Sequence, residues 1–327
     1  MNLLRLPLVV LTQIFKMWNF RTKFFVSLLS KRARTTLKLA CGIPHFSVLS
    51  EHNLHIRWGY YSRDYYENAT ATGSYCIGGN KMEIGHYAHG LIISNRSMWN
   101  QLLLVGHVLD TFPKATFTLA FYDPPRPELT LKLMKTLNQR KLQIKTLYYM
   151  ITLNPSKFVP KILDECTKVT DYIRMRSLFP DDFVYNPIRP FKAATMEIYR
   201  INPWFELESF LYCGYVDVQL SDHSERTAWD WSSFFTNWMD YDTPLQRFEL
   251  HDMKKSETQL VLDELRKQGI SRIISDSLFE IKKENGSEFF IRYNSYYVGI
   301  YTKQAYLEYL EEIERRKRLR RVVDDTL

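Results

Sequence analysis

The chain has 327 residues, of which 45% are hydrophobic and 24% are charged, a composition typical of folded domains and not of disordered chains. Its 12 glycines and 13 prolines are too few for a fibre or a long flexible linker. The net charge of +8 comes from the ends: residues 1–50 hold eight Lys or Arg and no acid, and residues 315–321 hold six more. Residues 51–314 are mildly acidic, so no basic face for nucleic acid is expected.

The sequence contains no recognisable catalytic or cofactor motif. A phosphate-binding loop, a dinucleotide-binding glycine motif and a nucleophile elbow are all absent, so we assign no catalytic residue and no cofactor. The cysteines are far apart and form no C-x-x-C pair, which is typical of reduced thiols and predicts no metal site. The four are Cys41, Cys76, Cys166 and Cys213. No apolar stretch reaches the roughly 20 residues of a membrane span.

The first forty residues predict three short helices. Pro7 presets the backbone for a first helix, Asn19 or Thr22 can cap a second, and Ser30 precedes a third. Apolar residues at helical spacing cover more than one side of the first two helices. Three helices of this size cannot bury that surface alone, so we expect it to dock on the rest of the chain or on another protein.

Two motifs in this segment carry a family resemblance: Leu6-Pro7-x-x-x-Leu11-x-x-Ile14-Phe15, and later Ser27-Leu28-Leu29-Ser30-Lys31-Arg32-Ala33-Arg34. Over residues 3–40 the chain resembles the F-box, a three-helix module that binds a Skp-family adaptor. The resemblance implies that the adaptor contacts are Leu6, Pro7, Leu11, Ile14 and Leu28. The turn between the first two helices has the sequence Asn19-Phe20-Arg21-Thr22, which is basic, whereas the family often carries Asp-Pro-x-Glu at this place. Arg21 and Lys23 are therefore expected in acidic or solvated surroundings.

The next hundred residues predict strands and one good helix. Leu54, Ile56 and Trp58 alternate with polar residues as in a strand, and residues 75–77 and 82–84 flank Gly78-Gly79-Asn80 as in a hairpin. Apolar residues spaced four, three, four and three positions apart then indicate an amphipathic helix. Ser97 or Asn95 is its candidate N-cap. The apolar residues are Met98, Leu102, Val105, Leu109 and Phe112.

A strand-then-helix rhythm follows, at intervals of 19 to 31 residues. This pattern predicts an irregular β/α array similar to leucine-rich repeats, with a doubly wound parallel sheet as the rival. A capping box at Ser256–Gln259 is expected to start one of its helices. An antiparallel meander after residue 276 should close the array. The strands of the β/α array that precedes this meander are centred near Leu119, Leu147, Ile173, Ile198, Asp217, Phe248 and Ile273.

A second resemblance lies within this array. Ser233-Phe234-Phe235-Thr236-Asn237-Trp238, followed by Leu245-Gln246-Arg247-Phe248-Glu249-Leu250, resembles the N-x-F-L-x-x-W and L-x-x-L motif of F-box-associated domain type 2 in nematode families. That domain is thought to recognise the protein to be ubiquitylated. The helical spacing of Trp231 and Trp238 favours the core, whereas Trp204 and Trp229 lie off that stripe and are candidate target contacts.

The sequence as a whole predicts a mixed α+β and α/β fold with an F-box at residues 1–42, a recognition domain at 43–327 and a basic helical tail at 315–327. The function expected from the resemblance is that of a non-catalytic substrate adaptor in an SCF-type, cullin-RING ubiquitin ligase. Its partners would be a Skp-family adaptor and an unknown target protein, with no nucleic acid and no membrane. The expected location is the cytoplasm, the nucleus or both.

Two other functions fit parts of the sequence. The first residues imitate a signal segment, so the chain can be interpreted as a secreted or membrane-associated glycoprotein, with sequons at Asn68, Asn95 and Asn285. Lys16 interrupts the apolar run and no small-x-small cleavage site follows, which favours the adaptor hypothesis. The basic tail would suit an RNA-binding protein, although a solvated helix end is the more frequent role of such residues.

Overall fold

The structure is a computed structural model. It describes residues 6–42, 44–60, 71–87, 89–94, 97–124, 126–152, 157–177, 185, 188–201, 206–220 and 226–324. By their contacts the residues divide into two compact units, Met1–Leu178 and Phe179–Leu327. The module boundary expected at residue 42 therefore lies inside the first unit, which contains both the N-terminal helices and the strands that follow them.

The first unit begins with three helices of ten residues each: α1 (Leu8–Met17), α2 (Phe20–Leu29) and α3 (Lys31–Ala40). Pro7 stands just before α1, the Asn19 side chain accepts a hydrogen bond from the Thr22 backbone N–H, and Ser30 caps α3 in the same way through Ala33. These caps satisfy backbone groups that short helices otherwise expose. The three predicted helices are confirmed.

Eight described strands of the first unit form a mixed sheet in the order β8-β7-β6-β1-β2-β5-β4-β3. Strands β1, β2, β5, β4 and β3 pair antiparallel, whereas β1, β6, β7 and β8 pair parallel. Their bounds are β1 (His45–Ser50), β2 (Asn53–Trp58), β3 (Ala71–Ile77), β4 (Asn80–Tyr87), β5 (Gly90–Ser94), β6 (Thr116–Tyr122), β7 (Gln143–Ile151) and β8 (Tyr172–Ser177).

Helices connect the parallel strands of this unit. They are α4 (Met98–Thr111) before β6, α5 (Pro127–Gln139) before β7 and α6 (Val159–Cys166) before β8. The connections through α5 and α6 each step to the next strand in the same direction, so right-handed crossovers place these two helices on one face, where α5 packs directly against α6. The connection through α4 instead passes β2 and β1 to reach β6. The strand order among these parallel strands does not reverse, as it would in a doubly wound sheet.

The second unit also begins with parallel strands and then changes to antiparallel pairing. Its described strands lie in the order β12-β13-β14-β15-β11-β10-β9, and β9, β10 and β11 are parallel whereas β12 to β15 form an antiparallel meander. The strands are β9 (Thr195–Ile201), β10 (Tyr215–Leu220), β11 (Arg247–His251), β12 (Ile270–Ser275), β13 (Leu278–Lys282), β14 (Glu288–Asn294) and β15 (Tyr297–Thr302).

The helices of the second unit lie on both faces of this sheet. They are α7 (Ala228–Asp240), α8 (Lys255–Arg266) and α9 (Lys303–Asp324), with a short 3-10 helix at Leu207–Phe210. The ring of Phe248 on β11 lies 4.9 Å from Phe234 of α7, so α7 covers the face to which Phe248 points. Since strand side chains alternate, Arg247, Glu249 and His251 point to the opposite face. Tyr309 of α9 packs over Arg247 on that face, and we call the remainder of it, where Asp217 and His251 are partly exposed, the open face.

The coarse fold prediction is confirmed: the protein is mixed α/β, with three N-terminal helices, mixed sheet and a C-terminal antiparallel meander. The strand predicted near Ile273 is present, but it belongs to the meander and not to the parallel series, because β12 pairs antiparallel with β13. The capping box expected at Ser256 is wrong. Helix α8 starts at Lys255, with Lys254 as N-cap and no side-chain cap, so Ser256 lies inside the first turn.

All four cysteines are free. Cys76 is exposed and Cys41 is half-buried, whereas Cys166 and Cys213 are buried. Among the helices that the structure describes, none is long and apolar enough to cross a membrane.

Candidate functional site

The N-terminal helices have a small apolar core of their own. Leu11 and Phe15 of α1 pack with Leu37 and Ala40 of α3, and all four side chains are buried. Partly buried residues surround this cluster: Leu6, Ile14, Trp18, Val26 and Cys41. The i, i+4 spacing of Leu11 and Phe15 places both on the face of α1 that points to α3.

Helix α2 attaches the trio to the strands of the first unit. The Phe20 ring lies 5.3 Å from Phe46 of β1 and 5.7 Å from Trp58 of β2. The Ser27 hydroxyl lies 2.7 Å from Nε2 of His107 on α4. Burial, more than the charge of Arg34, lowers the pKa of His107 to about 4, so this buried contact involves a neutral imidazole at physiological pH.

The expectation of acidic or solvated surroundings for Lys23 is wrong. Lys23 is buried, and its ammonium group lies 4.5 Å from the centre of the Trp58 ring. Burial lowers its pKa from the ordinary value, against an opposing effect of Cys41. Arg21 is exposed and stacks over Phe25 at 5.8 Å. Aromatic rings therefore take the place that an acidic partner was expected to fill, since the face of a ring attracts cations.

The opposite side of α1 exposes apolar side chains. Val9 is 75% exposed and Met17 is 87% exposed, and Leu8 and Val10 are also exposed. Together with the exposed Pro7, the residues of the first turn form a contiguous surface that we call the α1 patch: Pro7, Leu8, Val9 and Val10. Val10 and Met17 are seven residues apart and so lie on the same side of the helix, which extends the patch along α1.

The five predicted adaptor contacts fall into different environments. Pro7 lies in the α1 patch. Leu6 and Ile14 are half-buried against the core of the trio, and Leu11 is inside that core at 3% exposure. Leu28 is half-buried on α2. Leu8, Val9 and Val10, which the resemblance did not single out, are exposed.

The two predicted target contacts have separate outcomes. Trp204 lies outside the described residues. Trp229, on the first turn of α7, is 75% exposed, and Trp231 and Trp238 are buried as the helical spacing predicted. Trp238 also donates a hydrogen bond from Nε1 to the Leu245 carbonyl at 2.7 Å. Of the sequons, Asn285 is exposed and Asn68 and Asn95 lie outside the described residues.

The open face of the second unit carries a polar cluster that sequence reasoning missed. Glu249 on β11 is opposite Asp217 on β10 and Gly299 on β15, and His251 is two residues further along β11. Donor atoms of Asp217, Glu249 and His251 all lie within 4.8 Å of one another. The alternation of β11 contained the signal, because Glu249 and His251 occupy its polar positions, but the register with Asp217 required the structure.

Glu249 is buried and held by several donors. Its Oε1 accepts hydrogen bonds from the hydroxyls of Tyr297, at 2.5 Å, and Tyr301, and its Oε2 accepts one from Arg247 at 2.8 Å. Burial raises the pKa of Glu249, but the interactions with His251 and Arg247 outweigh it, and the pKa lies well below the ordinary value. The carboxylate is therefore ionised throughout the physiological range.

Known proteins add no assignment for either surface. In the three comparisons made with this chain, no protein-family model matches it, no curated protein matches it, and no solved structure matches it.

Proposed function

We propose that this chain is the substrate-recognition adaptor of an SCF-type, cullin-RING ubiquitin ligase. In this proposal the N-terminal helices, as an F-box, bind a Skp-family adaptor, and the rest of the chain binds the target protein. The observation that carries the proposal is the α1 patch. The segment that resembles an F-box forms three short helices and leaves an apolar first turn uncovered by the described residues of its own chain.

The energetics of the α1 patch favour a protein partner. Full burial of a Val or Leu side chain contributes about 1.5–3 kcal/mol relative to exposure, and Leu8, Val9 and Val10 are adjacent in one helical turn. Adjacent apolar side chains on a surface are typical of docking sites, whereas single exposed ones are ordinary. Leu11 and Phe15 also pack α1 against Leu37 and Ala40 of α3, so binding would require little ordering of the helix.

The same proposal assigns the strands and helices after residue 42 to a leucine-rich-repeat-like array that presents the target. Two features support this assignment. In part of each unit, β6 to β8 and β9 to β11, consecutive strands are parallel neighbours with helical segments between them, and the meander β12 to β15 ends the series as a cap does in repeat proteins. The exposed Trp229 is the described target contact that we propose, and Trp204 is the second.

The chemistry of such a complex lies in other subunits. An adaptor contributes by holding its target beside a charged ubiquitin carrier, which raises the local concentration of the reacting groups. We therefore propose that the chain is not an enzyme, that it uses no cofactor in this role, and that it acts in the cytoplasm, the nucleus or both.

Co-purification of the full chain with a Skp-family adaptor tests the proposal. We expect Val9→Ser combined with Val10→Ser to weaken binding roughly 100-fold, because loss of two buried valines costs about 3 kcal/mol. The fold should persist, since substitutions at exposed positions change stability by about 0.5 kcal/mol or less. The matched control is Ile270→Ser with Ile273→Ser, which removes two exposed aliphatic side chains from β12.

The control variant should bind the adaptor as the unmodified chain does. No binding by the unmodified chain, or equal binding by the Val9/Val10 variant, would contradict the proposal. Leu6→Ala is a poorer probe than these valines, because Leu6 packs against the core of the trio and its loss can weaken the helices themselves.

A further inference from the structure

The polar cluster on the open face combines one imidazole and two carboxylates on two paired strands. Asp217 on β10 and Glu249 on β11 are paired in register, and His251 is paired with the next outward residue of β10, Gln219. All three side chains point to the open face, because they alternate with the buried Val216, Val218, Phe248 and Leu250. The positions of the three donors therefore depend on sheet pairing and not on a loop.

The distances within this cluster are compatible with three donors that share one ion. Nε2 of His251 lies 3.3 Å from Oδ1 of Asp217 and 3.9 Å from Oε2 of Glu249. Nε2 is shielded from solvent and makes no hydrogen bond of normal geometry to the described residues. In a tetrahedral zinc site with bonds of about 2.0 Å, neighbouring ligand atoms are about 3.3 Å apart. All three donor atoms lie within 4.8 Å of one another, so small side-chain rotations would bring them to one ion.

The hydrogen bonds of Glu249 leave one acceptor position for such an ion. An ionised carboxylate has about four lone-pair sites. Tyr297 and Tyr301 use two sites on Oε1, and Arg247 uses one on Oε2. The remaining site on Oε2 is on the atom closest to His251. The two tyrosines and Arg247 thus orient a metal ligand, as outer partners do in known metal sites.

The local charge also favours a cation. Asp217 and Glu249 carry two negative charges, Glu197 on β9 is the next residue across the sheet from Asp217, and Arg247 offsets one charge. Gly299, opposite Glu249, adds no side chain above the carboxylate, and a Cβ there would meet the rings of Tyr297 and Tyr301.

We propose that Asp217, Glu249 and His251 form a three-ligand site for Zn²⁺ on the open face of the second unit. Three protein ligands leave a fourth, outward position for water or a donor atom of a bound molecule. An imidazole in the donor set favours zinc over Mg²⁺ and Ca²⁺, which prefer oxygen ligands alone. The site is independent of the adaptor proposal, because its residues do not belong to the N-terminal helices.

Titration of the full chain, free of any affinity tag and treated with a chelator, tests the site. By calorimetry we expect ZnCl₂ to bind with one site per chain and MgCl₂ to give no binding. His251→Ala and Asp217→Asn should each weaken zinc binding about tenfold or more. Asp217→Asn preserves the size of the side chain, so it separates loss of a ligand from loss of the fold, which circular dichroism checks for both variants.

The matched control is His52→Ala, which removes an exposed imidazole outside the cluster and should leave zinc binding unchanged. A cobalt titration gives an independent readout, since a coordinated Co²⁺ develops visible absorption that Zn²⁺ then displaces. The proposal is overturned if the unmodified chain has no single zinc site. It is equally overturned if both cluster variants bind zinc as tightly as the unmodified chain, or if His52→Ala abolishes the binding.

Discussion

Glu249 is a buried acid whose negative charge is neutralised by its neighbours. Only 8% of its side chain is exposed, and its two oxygens accept hydrogen bonds from Arg247, Tyr297 and Tyr301. A buried charge stabilises a fold only while its partners remain. The residue therefore connects β11 to β15 through side chains, in addition to the hydrogen bonds of the backbone.

Glu249→Gln should destabilise the protein by about 3 kcal/mol at neutral pH, because Arg247 loses its buried anionic partner. The effect should depend on pH in a defined direction. The pKa of Glu249 in the folded protein lies below its ordinary value of 4.5, so the charge stabilises the fold above that value. The stabilisation is lost as the pH falls through the lower pKa of the folded state.

Denaturant unfolding of both proteins measures this difference. We expect the gap in free energy of unfolding to be complete at neutral pH and to shrink progressively below pH 4.5. A gap that is independent of pH would mean that the size or polarity of the side chain, and not its charge, accounts for the effect.

Single residues could be placed from the sequence when their neighbours were local. The burial of Trp231 and Trp238 followed from helical spacing, and the cap at Asn19 followed from its position before an apolar helix. Glu249 and His251 could not be assigned in the same way. Their chemistry depends on Asp217, Tyr297 and Tyr301, which belong to other strands, and a strand pattern contains no information about register.

Helix α7 begins with a capping box that the sequence analysis did not identify. The Thr227 hydroxyl accepts a hydrogen bond from the Asp230 backbone N–H, and the Asp230 carboxylate accepts one from the Thr227 backbone N–H at 2.7 Å. The analysis placed a capping box at Ser256 instead, where α8 has already begun. Both segments have a suitable residue pair, so local spacing alone did not distinguish them.

Alanine substitutions at the two positions should separate a true cap from an apparent one. Thr227→Ala should lower the free energy of unfolding by about 1 kcal/mol, because the Asp230 backbone N–H loses its side-chain acceptor. Ser256→Ala, in the first turn of α8, should change it by no more than about 0.5 kcal/mol. Thermal or denaturant unfolding compares the two variants, and an equal loss at both positions would contradict this assignment of the caps.

The existence of most elements was predictable, but their partners were not. Helix α4 and the hairpin of β3 and β4 follow directly from apolar periodicity and from Gly78-Gly79. Strand β12 was predicted as one more member of the parallel series, yet it pairs antiparallel at the edge of the meander. Its side chains are exposed on both faces, so a run of isoleucines there imitated a buried strand.

At the scale of the whole molecule, the interval between successive strands predicted the alternation of strands and helices. Intervals near 26 residues leave room for one helix per step, and the strands β6 to β8 and β9 to β11 are indeed parallel neighbours. The interval contains no information about compact units. Contacts group the N-terminal helices with the strands up to residue 178, because Phe20 and Phe24 are buried on the side of α2 away from solvent and pack with aromatic residues beyond the trio.

The distribution of the cysteines makes the protein simple to label. Burial raises the pKa of Cys213 to about 12 and raises the pKa of Cys41 and of Cys166 from their ordinary value, so all three should react slowly with maleimides. A fluorophore added at neutral pH should therefore attach to Cys76, which is exposed. Peptide mass mapping after brief labelling checks this, and comparable modification of Cys166 would contradict it.

Because side chains alternate along a strand, such a dye would lie on the face of β3 opposite to Tyr75, which packs 5.2 Å from Phe25 of α2. One native thiol would thus carry a fluorophore that does not press on α2, so labelling should leave the N-terminal helices free to bind a partner.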